Sequence, residues 1–357
     1  MHRTPSLLRQ TLVATAALVT LCGSALFAQS DGSASVTAAD RAAAFSNLHR
    51  HVTFANTAAG KSAARSRTDS KPASALSASA KPNASANKVA SQVFGFFPGD
   101  LVYMGGPVVT EAESHPVYVN ANNNTGGCKG VEQCWGNPED FLEDLGRSTF
   151  IHVVDQYTGE TRNHRYTVGD AVRLSAPKGT IFEQQLFPLI HSAAKKEGTG
   201  YGHIYHIFLP PGTDTCFLAS DGVTPICYSP DNPNTFFFCA YHGSVEFKDI
   251  GHVLFTVEPY QNIPGCDVAQ PSPNGQLTDS TNSVLSHETI ETITDPDGTG
   301  WWNLTGGALA GEEIADECVS LLDQTGASLD PTFKIGHNLY EVQLEYSNTY
   351  HACINVP

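Results

Sequence analysis

From residue 29 to residue 94 aromatic side chains are nearly absent, and this stretch confines the expected folded body to residues 95–357. The stretch is built from Ala, Ser, Lys and Asn, as in Ala73-Ser74-Ala75-Leu76-Ser77-Ala78-Ser79-Ala80. Such a composition buries too little apolar area to offset the entropy of ordering the chain. It predicts a disordered linker or a pro-segment over 29–94, with at most a weak helical piece at 38–44. At Val93-Phe94-Gly95-Phe96-Phe97-Pro98 the texture changes, and apolar runs then alternate with turn residues.

The N-terminus indicates the compartment. Arg3 and Arg9 precede an apolar run from 12 to 28, and Ser24, Ala25 and Ala28 are small residues near its end. This has the form of a signal peptide over 1–28, cleaved after Ala28. Of the nine cysteines only Cys22 lies in that run, which leaves eight in the mature chain. An even number in a secreted chain predicts disulfides rather than metal ligands, because no paired Cys-x-x-Cys units occur. Cys128 with Cys134 suits a local loop, and Cys318 with Cys353 would tie down the C-terminal end. The formal net charge of −16 argues against nucleic acid and, once the signal is removed, against anionic membrane as partners. Nothing in the sequence bears on the oligomeric state.

Strands are expected at 101–104, 116–119, 150–154, 203–209, 236–241, 252–257 and 339–346. A helix is expected at 138–145, with Asn137 as its cap, Pro138 at its first position and acids in its first turn. The run 181–196 has helical spacing, but Pro188 should break or kink it. A further helix is expected at 283–293. This mixture predicts an α+β domain over 95–357 with an irregular, disulfide-tied C-terminal lobe.

The chemistry concentrates in His287-Glu288-Thr289-Ile290-Glu291. On a helix, His287 and Glu291 lie one turn apart on one face, and one turn can supply two converging metal ligands. Glu288 then stands beside the ion, where a general base would take a proton from bound water. This is the spacing of the zincin helix, with Glu291 in place of the second His. A carboxylate is an acceptable zinc ligand, and it makes harder cations such as calcium more competitive. The competing reading is a solvated helix face with polar i,i+4 contacts.

Acids downstream offer a third ligand. Asp297 stands ten residues after His287, the metzincin offset, and Glu313 stands 26 after it, near the gluzincin distance. Asp316 follows close behind. Turn chemistry or a calcium-binding loop is the alternative for Asp295 and Asp297. In the zincin order of elements, 236–241 or 252–257 would be an edge strand that binds extended peptide. Paired carboxylates such as Glu288 and Asp316 also admit a glycosidase reading, for which only Trp301-Trp302 offers an aromatic sugar platform.

Taken in order, several segments resemble the phosphate-induced, Exordium-like proteins of plants and their secreted bacterial relatives. They are Tyr103-Met104-Gly105-Gly106-Pro107-Val108, Phe141-Leu142 through Ser148 and Phe150, Cys239-Ala240-Tyr241-His242-Gly243 and Pro264-Gly265-Cys266. The fullest likeness is Leu285-Ser286-His287-Glu288 with Glu291, Thr294-Asp295-Pro296 and Trp301, then Glu313-Ile314-Ala315-Asp316 and Cys318. Gln343 to Asn348 with Cys353 resembles the closing segment. The resemblance implies an extracellular or cell-wall protein, and that family has no settled biochemical activity. It also implies that the His287 and Glu313 segments form one site. Glu313 is thereby the expected third ligand, Asp316 a ligand or a partner of His287, and His242 an additional candidate. The sequence thus predicts a secreted zincin-like protein binding zinc through His287, Glu291 and Glu313, with Glu288 as the base of a peptidase. The alternative is a non-catalytic binding module derived from such a fold.

Overall fold

The runs His203-Ile-Tyr-His-Ile-Phe208 and His252-Val-Leu-Phe-Thr-Val257 carry large apolar or β-branched groups toward both faces, which suits interior strands. Both are interior in the computed structural model, which describes residues 49–55, 92–93, 99–121, 129–219, 222–305, 311–319 and 330–357. The described residues belong to one compact unit, Val36–Pro357. The expected signal peptide and its cleavage site, the helical piece at 38–44 and Cys128 lie outside them.

Seven strands form the central sheet: β1 (His49–Phe54), β2 (Ala112–Val119), β3 (Tyr166–Val168), β4 (Val172–Leu174), β5 (His203–Phe208), β6 (Phe238–Phe247) and β7 (Gly251–Glu258). Their order is β1-β6-β7-β5-β2, with β3 and β4 placed in turn along the outer side of β2. The pairs β1/β6 and β6/β7 are antiparallel, whereas β7/β5, β5/β2, β2/β3 and β2/β4 are parallel. Neither strand expected at an edge is one. β6 is covered by β1, and β7 lies between β6 and β5. Residues 49–54, assigned by composition to the linker, supply that cover, and 92–93 pair with 353–354. Pairing an edge strand needs only backbone hydrogen bonds, which composition does not report.

Each face of the sheet packs its own core. Helix α1 (Pro138–Arg147) and the long helix α3 (Gln276–Thr294) share one core with Tyr118, Ile204, Phe208 and Leu254. Helix α2 (Glu183–Glu197) shares the other with Val117, Tyr205, Ile207, Val253, Phe255 and Val257. The period-2 alternation of strands thus assigns faces: even-numbered β5 and β7 residues, and those of β6 from His242 on, look toward α3, and odd-numbered ones toward α2. Pro188 does not break α2. It stands early in the helix, and burial of Leu186, Phe187, Ile190, Ala193 and Ala194 on one stripe offsets the lost hydrogen bond. Asn137 does not cap α1 with its side chain.

Two further expectations are corrected. Phe150–Val154 is a 3-10 helix, not a strand. Four of its five residues are buried, so an apolar run here reports burial and not an extended backbone. The C-terminal part is no separate lobe: Phe333, Ile335, Tyr340, Val342, Leu344 and Tyr346 belong to the core around α3. The expected strand at 339–346 is two short ones, Asn338–Glu341 and Glu345–Ser347. Disulfides join Cys216–Cys227, Cys239–Cys266 and Cys318–Cys353, the last as expected. These disulfides, three among the described residues, indicate an oxidising compartment. No helix among the described residues is long and apolar enough to cross a membrane.

Leu285, fully buried at the middle of α3, tests this packing. Leu285→Ala is expected to cost about 2–5 kcal/mol in denaturant unfolding, through lost transfer energy and the cavity left behind.

Candidate metal centre

Helix α3 runs 19 residues, opens after Gly275 at φ 87° and buries every residue from Asp279 to Thr294. A helix this polar is expected to lie at the surface, yet partners satisfy several of its polar groups. Asp279 accepts from the backbone and side-chain N–H groups of Asn274 at 2.8 Å, Ser280 Oγ accepts from Val268 N, and Ser283 donates to Asp330 at 2.7 Å. Thr289 and Thr292 donate to the carbonyls of Leu285 and Glu288 one turn back. The helix therefore carries its His and Glu side chains through the interior, between the sheet and the C-terminal strands.

His287 Nε2 lies 3.1 Å from Glu291 Oε2 and 3.5 Å from Asp316 Oδ1. These three ligand-capable atoms all lie within 4.8 Å of one another. The other ring nitrogen, Nδ1, is 3.0 Å from Gln343 Oε1. An amide oxygen only accepts, so Nδ1 carries a proton, and Nε2 is the ring nitrogen that faces the two carboxylates. The Asp316 backbone N–H donates to Glu291 Oε1 at 3.1 Å, which fixes the segment after Ile314 against the helix.

His242 forms the other half of the cluster. It is an even-numbered residue of β6 and faces α3, with Nδ1 3.2 Å from Glu288 Oε2 and 3.5 Å from Glu291 Oε2. Its Nε2 lies 3.3 Å from the Asp295 carbonyl and 3.6 Å from Glu313 Oε2. Glu291 is thus common to two groups, His287/Glu291/Asp316 and His242/Glu288/Glu291. The spacing of His287, Glu288 and Glu291 is realised on the helix as read from sequence. The third position near His287 is filled by Asp316, and Glu313 meets His242 instead. Asp297 is not in the cluster: it sits past the helix end, 3.1 Å from His252 Nε2, and accepts from Tyr201 Oη at 2.5 Å. Burial pushes its carboxyl up, but His252, Ser244 and Tyr201 outweigh that and hold it at about 2. The Asp295 carboxyl accepts from Gly300 N at 2.5 Å and also meets Glu313, so the two acids of the expected calcium loop serve different partners.

The electrostatics are lopsided. Glu288, Glu291, Asp295, Glu313 and Glu345 have no solvent exposure, and Asp316 has 3 %. The single buried Arg or Lys among the described residues, Arg165, pairs with Asp155. Burying like charges without compensation is costly, so the site answers by holding protons. Burial lowers the pKa of His287, but Glu291, Glu288 and Asp316 outweigh it and raise the ring well above its ordinary value. His242 is raised in the same way, by Glu288 and Glu291 against burial. Burial, then Glu291 and Asp295, pushes Glu313 well up. A divalent cation would supply the missing positive charge, and His with carboxylate donors suits zinc.

Three participants were not read from sequence. Gln343 and Glu345 alternate with Val342, Leu344 and Tyr346, a pattern in which the polar set reads as solvent-facing, yet here both sets are buried. Glu258, the last residue of β7, accepts from Thr256 Oγ1 at 2.8 Å and feels Glu288 and His287. The period-2 rule alone places it on the α3 face. No protein-family model matches the chain, and neither a curated protein nor a solved structure does.

Proposed function

We propose that this chain is a secreted, Exordium-like extracellular module stabilised by a zinc ion on α3, held by His287, Glu291 and Asp316. The observation that carries the reading is the convergence of those three ligand atoms, with Gln343 leaving His287 Nε2 free to coordinate. Zinc accepts one imidazole and two carboxylates, and burial of all three donors, which leaves a substrate no approach from solvent, favours a structural role. Bound there, the ion would neutralise the carboxylates and tie α3 to residues 313–316. The module would then bind extracellular peptide or a cell-wall component through its surface.

A second reading is a zincin-like zinc peptidase with Glu288 as general base. The position of Glu288 beside His287, with its carboxylate 3.2 Å from His242 Nδ1, favours it. His242 would then orient Glu288 and exchange a proton with it.

Elemental analysis of the purified mature protein tests the proposal. His287→Ala is expected to hold about one equivalent less zinc than the parent protein. Equal zinc in both would overturn it. Glu288→Gln separates the readings. The module reading expects no peptide hydrolysis by either the parent or the variant, whereas a peptidase would lose roughly 100-fold or more of its peptide hydrolysis.

A further inference from the structure

A second cluster of metal-ligating side chains lies on the opposite face of the sheet. Glu113 and His115 are two apart on β2, so both point to the α2 side with Val117 and Val119. β5 pairs alongside in parallel register, with Glu113 opposite His203, whose side chain points the same way as Tyr205. His115 Nε2 is 3.0 Å from His203 Nδ1 and 3.3 Å from Glu113 Oε2, and His203 Nδ1 is 4.0 Å from the same oxygen.

We propose that Glu113, His115 and His203 bind a second transition-metal ion, with zinc as the expected occupant, in a site open to solvent. A triangle with sides of 3.0, 3.3 and 4.0 Å has its centre about 2.0 Å from each corner, which is the length of a zinc bond to imidazole nitrogen or carboxylate oxygen. Two imidazoles with one carboxylate favour zinc, copper or nickel over calcium or magnesium. Two glycines shape the surroundings. A Cβ at Gly169 would come within 2.5 Å of the His115 ring and 2.7 Å of the Glu113 carboxyl carbon, and one at Gly198 within 2.3 Å of the His203 ring. Loops without side chains therefore wrap the donors closely. The His115 ring is fixed by Tyr205, stacked on it at 5.0 Å. His115 is buried, while the side chains of His203 and Glu113 are 26 % and 42 % exposed. A fourth position is thus left to water or to an exogenous ligand from solvent, whereas the centre on α3 is buried. Bound metal would clamp the start of β5 to β2.

Zinc titration by calorimetry on the full mature protein tests this, using the parent, His203→Ala, His287→Ala and the double variant. The parent is expected to bind two ions, each single variant one, and the double variant none. Glu113→Gln, at an exposed position, is expected to weaken the second ion by at least the roughly 10–100-fold that even an outer partner of a ligand is worth. If His203→Ala and Glu113→Gln both bind zinc as the parent does, the proposal is overturned. If His287→Ala binds as the parent does while His203→Ala loses an ion, the second site stands and the α3 centre falls.

Discussion

Chelating the metal is expected to destabilise the protein most above neutral pH and little near pH 5. In the metal-free fold His242 and His287 hold protons above the ordinary histidine value of 6.5, and Glu313 and Glu345 hold them well above 4.5. For all four groups the folded chain binds the proton more tightly than the unfolded chain. Their contribution is therefore fully present below the unfolded values and is lost as pH rises through the folded ones. Each proton of difference is worth about 1.4 kcal/mol per pH unit. Metal binding has the opposite slope, because the ligands must lose their protons to coordinate. Zinc at a thousandfold excess over its dissociation constant stabilises by about 4 kcal/mol. Thermal unfolding from pH 5 to pH 8, with zinc and with a chelator, is expected to give two curves that separate as pH rises. Zinc binding near pH 7 should release protons, measurable by calorimetry in buffers of different ionisation enthalpy. Parallel curves with no proton release would show that His287 and its carboxylates hold no metal.

The sequence was most legible where one element carried the signal alone. His287, Glu288 and Glu291 share a helix, so their spacing fixes their relation. The start of that helix was invisible because Asp279, Ser280, Thr281 and Asn282 read as surface residues, and their burial rests on partners such as Asn274 and Val268. The acid that completes the group around His287 was legible only to within three residues. Glu313 and Asp316 stand almost a turn apart, and which one meets His287 depends on the Asp316 N–H bond to Glu291. His242 needed both the strand and the face, and the period-2 rule supplies the face only once β6 is paired with β7. The cluster of Glu113, His115 and His203 could not be read at all, since its third member arrives through parallel pairing of strands far apart in sequence. Asp297 shows the reverse failure, a correct offset without convergence, because the turn after Thr294 carries it toward His252.

Breaking the disulfide Cys318–Cys353 is expected to lower both stability and zinc affinity, and the second effect is the more informative. The bond closes a separation of 35 residues, for which loop entropy gives about 4 kcal/mol. Cys353 is anchored in a strand paired with Glu345–Ser347, and Cys318 follows Asp316 by two residues. Tyr346 N donates to the Ile314 carbonyl at 3.0 Å, closing the other side of the same short segment. The disulfide therefore holds Asp316 in place before any ion arrives, and preorganised ligands bind without a further ordering cost. Cys318→Ser with Cys353→Ser should weaken zinc at the α3 centre by roughly tenfold or more. The bond Cys216–Cys227, with a separation of 11 residues, joins strands that carry none of the α3 ligands. Its loss should cost about 3 kcal/mol by the same loop argument and leave zinc affinity unchanged. If both double variants lost zinc affinity equally, global loosening would explain the effect. A loss confined to the Cys318–Cys353 variant would make Asp316 the ligand that the disulfide delivers.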